Sequence, residues 1–243
     1  MNTDNNYSSE FQYGGASVPK LVADVTETER AEFYRKTYTH VALALLAFIA
    51  VEALLLRIIP DSLLLKLGGR YIWLFVIGAF WLGSVLANKW AHSLDRNTQY
   101  LGLGVYVVLE ALIFWPMIRI ALLYADGGSM ISQAGIITLA MFAGLTAVVF
   151  FTRVNFSFLR TVLVVGGFVS LGLIVAGALF GFDLGLWFSA GMIALASGAI
   201  LYETYNIKNE YGTNQYVGAA LQLFASVMLL FWYILRIFLS RRD

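Results

Sequence analysis

The chain contains no cysteine. Disulfides, thiolate nucleophiles and thiolate metal sites are thereby excluded, while the compartment is left open. Histidine is almost as scarce: only His40 and His92 occur, in no HExxH or similar cluster of the kind a membrane metalloprotease requires. A GxSxG-like elbow would need a histidine to activate its serine, and "LASGA" has none so placed. No GxxxxGK[ST] run and no dinucleotide fingerprint is present, so nucleotide-driven pumping has no support. Charge is also sparse, at 13% of 243 residues, where a soluble domain carries about a quarter. The net charge of +1 offers no basic field for nucleic acid. No enzymatic turnover, cofactor, metal or nucleic-acid partner is therefore expected.

Apolar residues fill the space the others leave. They make up 60% of the chain, the mean hydropathy is +0.75, and the charges fall between long apolar runs. That is the pattern of a chain whose solvent is lipid. The first 37 residues are polar and hold no short apolar region ahead of a small-residue cleavage site, so a cleaved signal peptide is not expected. Seven runs near the span length of roughly 20 residues follow, at 39–59, 71–91, 100–123, 131–152, 159–181, 185–206 and 216–239. Their short connections make successive spans antiparallel neighbours. The expected architecture is an all-α membrane protein: a polar N-terminal tail over 1–37, then a seven-span membrane domain over 38–243.

Met1 to Lys20, rich in Asn, Ser, Gly and Tyr, reads as disordered. Thr26 followed three residues later by Glu29 has the spacing of a capping box, and Phe33, Tyr34, Thr37 and Tyr38 line one helical face. This is either an amphipathic helix on the membrane surface or a plain extension of the first span. Tyr38, Tyr71, Trp73, Trp90, Tyr100 and Tyr216 gather near span ends, as an interfacial aromatic belt would. Orientation is weakly written. Lys20, Arg30, Arg35, Lys36, Lys89, Arg96, Arg153, Arg160 and Lys208 share the N-terminal side, against Arg57, Lys66, Arg70, Arg119, Arg236, Arg241 and Arg242. The small excess favours a cytoplasmic N-terminus.

Small residues at Ala190, Ala194 and Gly198, and at Gly177 and Gly181, allow close helix approach and read as packing. Carboxylates inside spans carry a different expectation, because a charge in hydrocarbon is costly and faces protein or water. Glu52 in the first span has Arg57 within two turns and is either a residue near the far interface or an ion-path candidate. Glu110, mid-way along the third, precedes Pro116, which removes a backbone donor and favours a kink. It is either a structural polar node or an ion-path residue. Glu203 sits about one turn from the end of the sixth span. It is either a working carboxylate or the first solvated residue of a loop. Gly218, Gln222 and Ser226 form a polar line on the seventh span, and Glu203 is the nearest partner in sequence for that line.

Four segments in order resemble the Bax inhibitor-1/YccA-like family. "LEALIFWPMI" is similar to that family's Glu-Gly-x-x-x-x-Pro segment. "TRVNFSFL" resembles its Thr-x-x-Asp-Phe-Ser-x-Leu loop, with Asn155 at the Asp position. "LYETYNI" resembles its Tyr-Asp-Thr-Gln-x-Ile signature, and "AALQLFASVMLLFWYILRI" its last span. The resemblance implies a bundle whose last helix is enclosed by the other six. It also implies a passive cation (calcium) leak with a gate between spans 6 and 7. The alternative is a non-transporting regulator of a membrane protease or of stress and cell-death machinery. The expected partners are accordingly the lipid bilayer, calcium or another cation, and a membrane protease, in a bacterial inner membrane. The chain departs from the family at the gate. Glu203 replaces one aspartate and Ser226 stands at the other, so a carboxylate pair is not expected. The only basic candidates on span 2, Lys89 and His92, lie at its end.

Overall fold

In the computed structural model, which describes residues 20–67, 70–124 and 126–240, the first helix begins at the cap the sequence marks. Glu29 donates its backbone N–H to Thr26 Oγ1 at 3.3 Å, and Thr26 donates its own to Glu29 Oε2 at 3.1 Å. Two orphan donors of the first turn are thereby satisfied. Helix α1 then runs unbroken over Glu27–Ile58, so the aromatic stripe belongs to the same helix as the first apolar run. Expectations for the tail before Lys20 lie outside the described residues.

The remaining helices are α2 (Ser62–Leu67), α3 (Arg70–Ala91), α4 (Arg96–Leu123), α5 (Gly127–Phe151), α6 (Leu159–Phe180), α7 (Gly185–Asn209) and α8 (Tyr216–Ser240). Among the described residues every extended element is a helix, apart from one isolated bridge between Leu21 and Gly212. Six helices, α1 and α4 to α8, are long and apolar enough to cross a membrane. The remaining run predicted to span coincides with α3, a helix of 22 residues. The connection after α1 was read as a loop and instead folds the short α2. There Leu63 N–H reaches Pro60 O and Leu64 N–H reaches Asp61 O, both at 3.0 Å.

Helix α8 lies inside the bundle at its N-terminal end, where Tyr216 to Leu221 are buried without a break. It packs against α1, α3, α4, α5 and α7. Helix α4 is buried as continuously from Phe114 to Ile118, around Pro116, and it stays a single helix through that proline. Ring contacts tie the two together: Phe114 meets Phe231 at 5.5 Å and Trp232 at 5.0 Å, and Tyr106 meets Phe224 at 6.2 Å. Helix α6 is peripheral. It has no buried residue and packs on α7 and α3.

Helices α3 and α4 approach backbone to backbone at Gly102. A Cβ at Gly102 would stand 2.5 Å from Ala91 N and 2.6 Å from Ala87 O, both backbone atoms that cannot rotate away. A Cβ at Gly104, on the same helix, would meet nothing within 4 Å. Gly102→Ala should therefore destabilise the bundle by about 1–3 kcal/mol, as overpacking does. Gly104→Ala should be neutral or stabilising by about 0.5–1 kcal/mol. Thermal unfolding of the two variants in one detergent checks the contrast.

Candidate functional site

The spans of α1 and α4 run in the same direction, as the pairs His40–Tyr100 and Phe48–Phe114 show. Helix α7 runs against α8 and is tied to it by Phe188 and Tyr233. This arrangement places the three intramembrane carboxylates at different depths. Glu203 lies toward the face that carries the chain's N-terminus, Glu110 near the middle, and Glu52 toward the opposite face.

Glu52 is 4% exposed, and neither of its Oε atoms has a hydrogen-bond partner among the described residues. Glu52 turns away from Arg57: Phe48 and Glu52 lie on the buried face of α1, while Arg57 is exposed. A buried carboxyl without donors carries its full desolvation cost, which packing alone does not reward. Glu110 is also buried and lies beside the Tyr106 hydroxyl one turn back on α4.

Glu203 is not the first residue of a loop, because α7 continues to Asn209 and the carboxylate lies part-buried on it. Its partner is not the expected one. Tyr211, in the α7–α8 connection, donates its hydroxyl to Glu203 Oε2 at 3.5 Å, and the Asn206 side chain lies beside the pair. Burial, with the Glu203 carboxyl next to it, pushes the Tyr211 phenol well above its ordinary range and keeps it a neutral donor.

The polar line of α8 faces α3 rather than α7. Gln222 Nε2 donates to Asn88 Oδ1 at 2.9 Å, and a Cβ at Gly218 would stand 2.7 Å from His92 Nε2. Asn88 on α3 and His92, one residue past its end, are four apart, as Gly218 and Gln222 are on α8. The two antiparallel helices therefore match turn for turn. Ser226 Oγ donates to Gln222 O at 3.0 Å, within its own helix. The expected contact of Glu203 with Ser226 or Gln222 is thus replaced by two separate arrangements. One is a seam between α3 and α8. The other is a carboxyl–phenol pair, joined to the seam where the His92 and Tyr211 rings stack at 6.3 Å.

The segment ahead of α1 closes over this cluster. Val22 N–H reaches Tyr211 O at 2.9 Å, and Thr213 N–H reaches Lys20 O at 3.1 Å. Arg96 spans two connections: Nη1 donates to Asn214 O at 3.3 Å, and the guanidinium lies 4.4 Å over the Tyr216 ring. Tyr216, read as part of the aromatic belt, is buried. Tyr211, His92 and Asn88 went unpaired in the sequence because their partners lie far along the chain. The i, i+4 repeat of Asn88 and His92, matching that of Gly218 and Gln222, was the available signal. Among the described residues no three His, Asp or Glu side chains converge as a metal site.

Apolar helices of spanning length around buried carboxylates define an integral membrane protein of polytopic, all-helical type. The chain belongs to the family described as Inhibitor of apoptosis-promoting Bax1, whose model matches residues 30–243. It is similar to an uncharacterized protein of Pseudomonas aeruginosa, 36% identical over 51% of this chain and 55% of that one. That match spans about half the length of the Pseudomonas protein. It is also similar to mouse Protein lifeguard 4, 27% identical over 93% of this chain and 90% of the relative. Protein LIFEGUARD 3 of Arabidopsis thaliana is 26% identical over 84% and 83%.

The Glu203–Tyr211 contact should be measurable by a double-mutant cycle of Glu203→Gln and Tyr211→Phe. A coupling of about 0.5–1.5 kcal/mol in detergent unfolding is expected. The same cycle with Ser226→Ala in place of Tyr211→Phe should couple by less than the error of the method.

Proposed function

We propose that this protein is a passive cation leak, with calcium as its chief ion, and that it carries out no catalytic turnover. In this reading α1 and α3 to α8 are seven spans, α8 is enclosed by the others, and the closed end lies where α7 meets α8. The N-terminus is cytoplasmic, in a bacterial inner membrane. The observation that carries the reading is the set of carboxylates at successive depths of one bundle, Glu52 and Glu110 buried and Glu203 part-buried. Intramembrane carboxylates of this kind are costly to keep and mark ion or proton paths by default. Tyr211, roofed by the segment around Val22, supplies a closure at one end. Membership of the family gives independent support.

A second reading, a non-transporting regulator of a membrane protease or of stress machinery, draws on Ser226. With serine in place of a second carboxylate, and its hydroxyl turned to its own helix, no charge pair forms between α7 and α8. Calcium flux into liposomes holding only the purified chain separates the two readings. Flux is expected, with a drop of about tenfold or more in Glu52→Gln as the path loses a charge. No flux at any pH between about 5 and 8 leaves the regulator reading. Seven spans place the two termini on opposite faces. An impermeant thiol reagent should therefore label Asn5→Cys and Asp243→Cys from different sides, and labelling from the same side contradicts the count.

A further inference from the structure

Beside the α7–α8 cluster two cavities open at the end of the bundle where α1 begins. One, of about 250 Å³, is lined by Arg153, Asn155, Lys208 and Asn209, among others. The other, of about 400 Å³, is lined by Ser157, Arg160 and Glu210 and reaches Asn206 and Tyr211 of the cluster. Tyr205 lines both, so the two adjoin as a cleft between the α5–α6 connection and the end of α7. Among the described residues neither Arg153 nor Arg160 has an ion-pair partner. Lys208 donates only to Val149 O, at 3.3 Å, which leaves ammonium donors free. Glu210 is the single carboxylate in the lining, so the cleft is net cationic. Asn155 adds a polar side chain without charge.

The flanks are of the opposite character. Phe151, Val154 and Phe158, on the same connection, are 89%, 52% and 60% exposed. A cationic polar floor beside exposed aromatic and aliphatic side chains, at the end of three membrane helices, suits a molecule with an anionic head and apolar tails. A soluble anion would use the floor and leave the flanks idle.

We propose that this cleft binds the phosphate of an anionic phospholipid headgroup. Arg153 and Lys208 pair with the phosphate, Asn155 donates its amide, and the acyl chains run along Phe151 and Phe158. The guanidinium of Arg153 is suited to two parallel hydrogen bonds to phosphate oxygens. Juxtamembrane basic residues attract anionic lipid by about 1 kcal/mol each. Lipid retention is read without ion passage, so the test does not depend on flux.

The full chain, purified in detergent with equal amounts of phosphatidylglycerol and phosphatidylcholine, can be examined by native mass spectrometry for retained lipid. Phosphatidylglycerol should be kept with roughly tenfold preference, the scale that two such contacts supply. Arg153→Gln should remove most of that preference, and Asn155→Asp should lower it by placing a negative charge in the floor. Both positions are exposed, so these variants fold, and a thermal melt confirms it where Lys208→Gln does not. Equal retention of the two lipids, or a preference unchanged in both Arg153→Gln and Asn155→Asp, overturns the proposal. So does inorganic phosphate at matched concentration displacing the lipid, since that assigns the cleft to a soluble anion.

Discussion

Polar side chains inside a lipid-spanning bundle must satisfy one another, because no water stands ready to replace a lost partner. In this chain that constraint is met chiefly where α8 meets α3. Asn88 and Gln222 hydrogen-bond side chain to side chain, and the His92 ring fills the space that a side chain at position 218 would occupy. The rest of the cluster depends on this seam. With Gln222 committed to α3, the Glu203 carboxyl on α7 is left to the Tyr211 phenol. With His92 seated on Gly218, the Tyr211 ring has a surface to stack on.

In the proposed leak the closed end is assembled from a connection rather than from two facing spans. The α7–α8 connection is itself held down by backbone hydrogen bonds, from Val22 N–H to Tyr211 O and from Thr213 N–H to Lys20 O, and by Arg96 at the start of α4. Segments distant in sequence therefore converge on the connection that carries Tyr211. Such an end can open by displacing a short loop, a smaller movement than parting two packed helices. The unpartnered Glu52, toward the opposite face, lies outside this closure and remains a buried carboxyl that the packing does not explain.

Six spans were legible because apolar runs of membrane length have few other readings. The cap at Thr26 was legible because its two reciprocal hydrogen bonds have a fixed spacing. Helix α2 was not, since six residues after a proline carry too little periodicity to separate a helix from a turn. The carboxylates were found as types but misassigned as partners. Adjacency of the last two spans pointed Glu203 toward Ser226 and Gln222, whereas Gln222 bonds to a residue 134 positions away. Tyr211 was hidden in "KNEYGTNQ", a segment whose other residues read as a turn. Tyr100 and Tyr216 looked like belt residues by position. One is exposed and the other buried, and their hydroxyls meet at 3.3 Å. Position along a span gives depth in the membrane but not which way a ring turns.

The absence of cysteine allows the α3–α8 seam to be tested without background. The pair Asn88→Cys with Gln222→Cys, treated in native membranes with a short bifunctional thiol reagent, is expected to give an intramolecular crosslink. The pair Glu203→Cys with Ser226→Cys is expected to react as two separate thiols. A crosslink in the second pair, with none in the first, would mean that Glu203 faces α8 directly and that the seam and the Tyr211 closure are wrong.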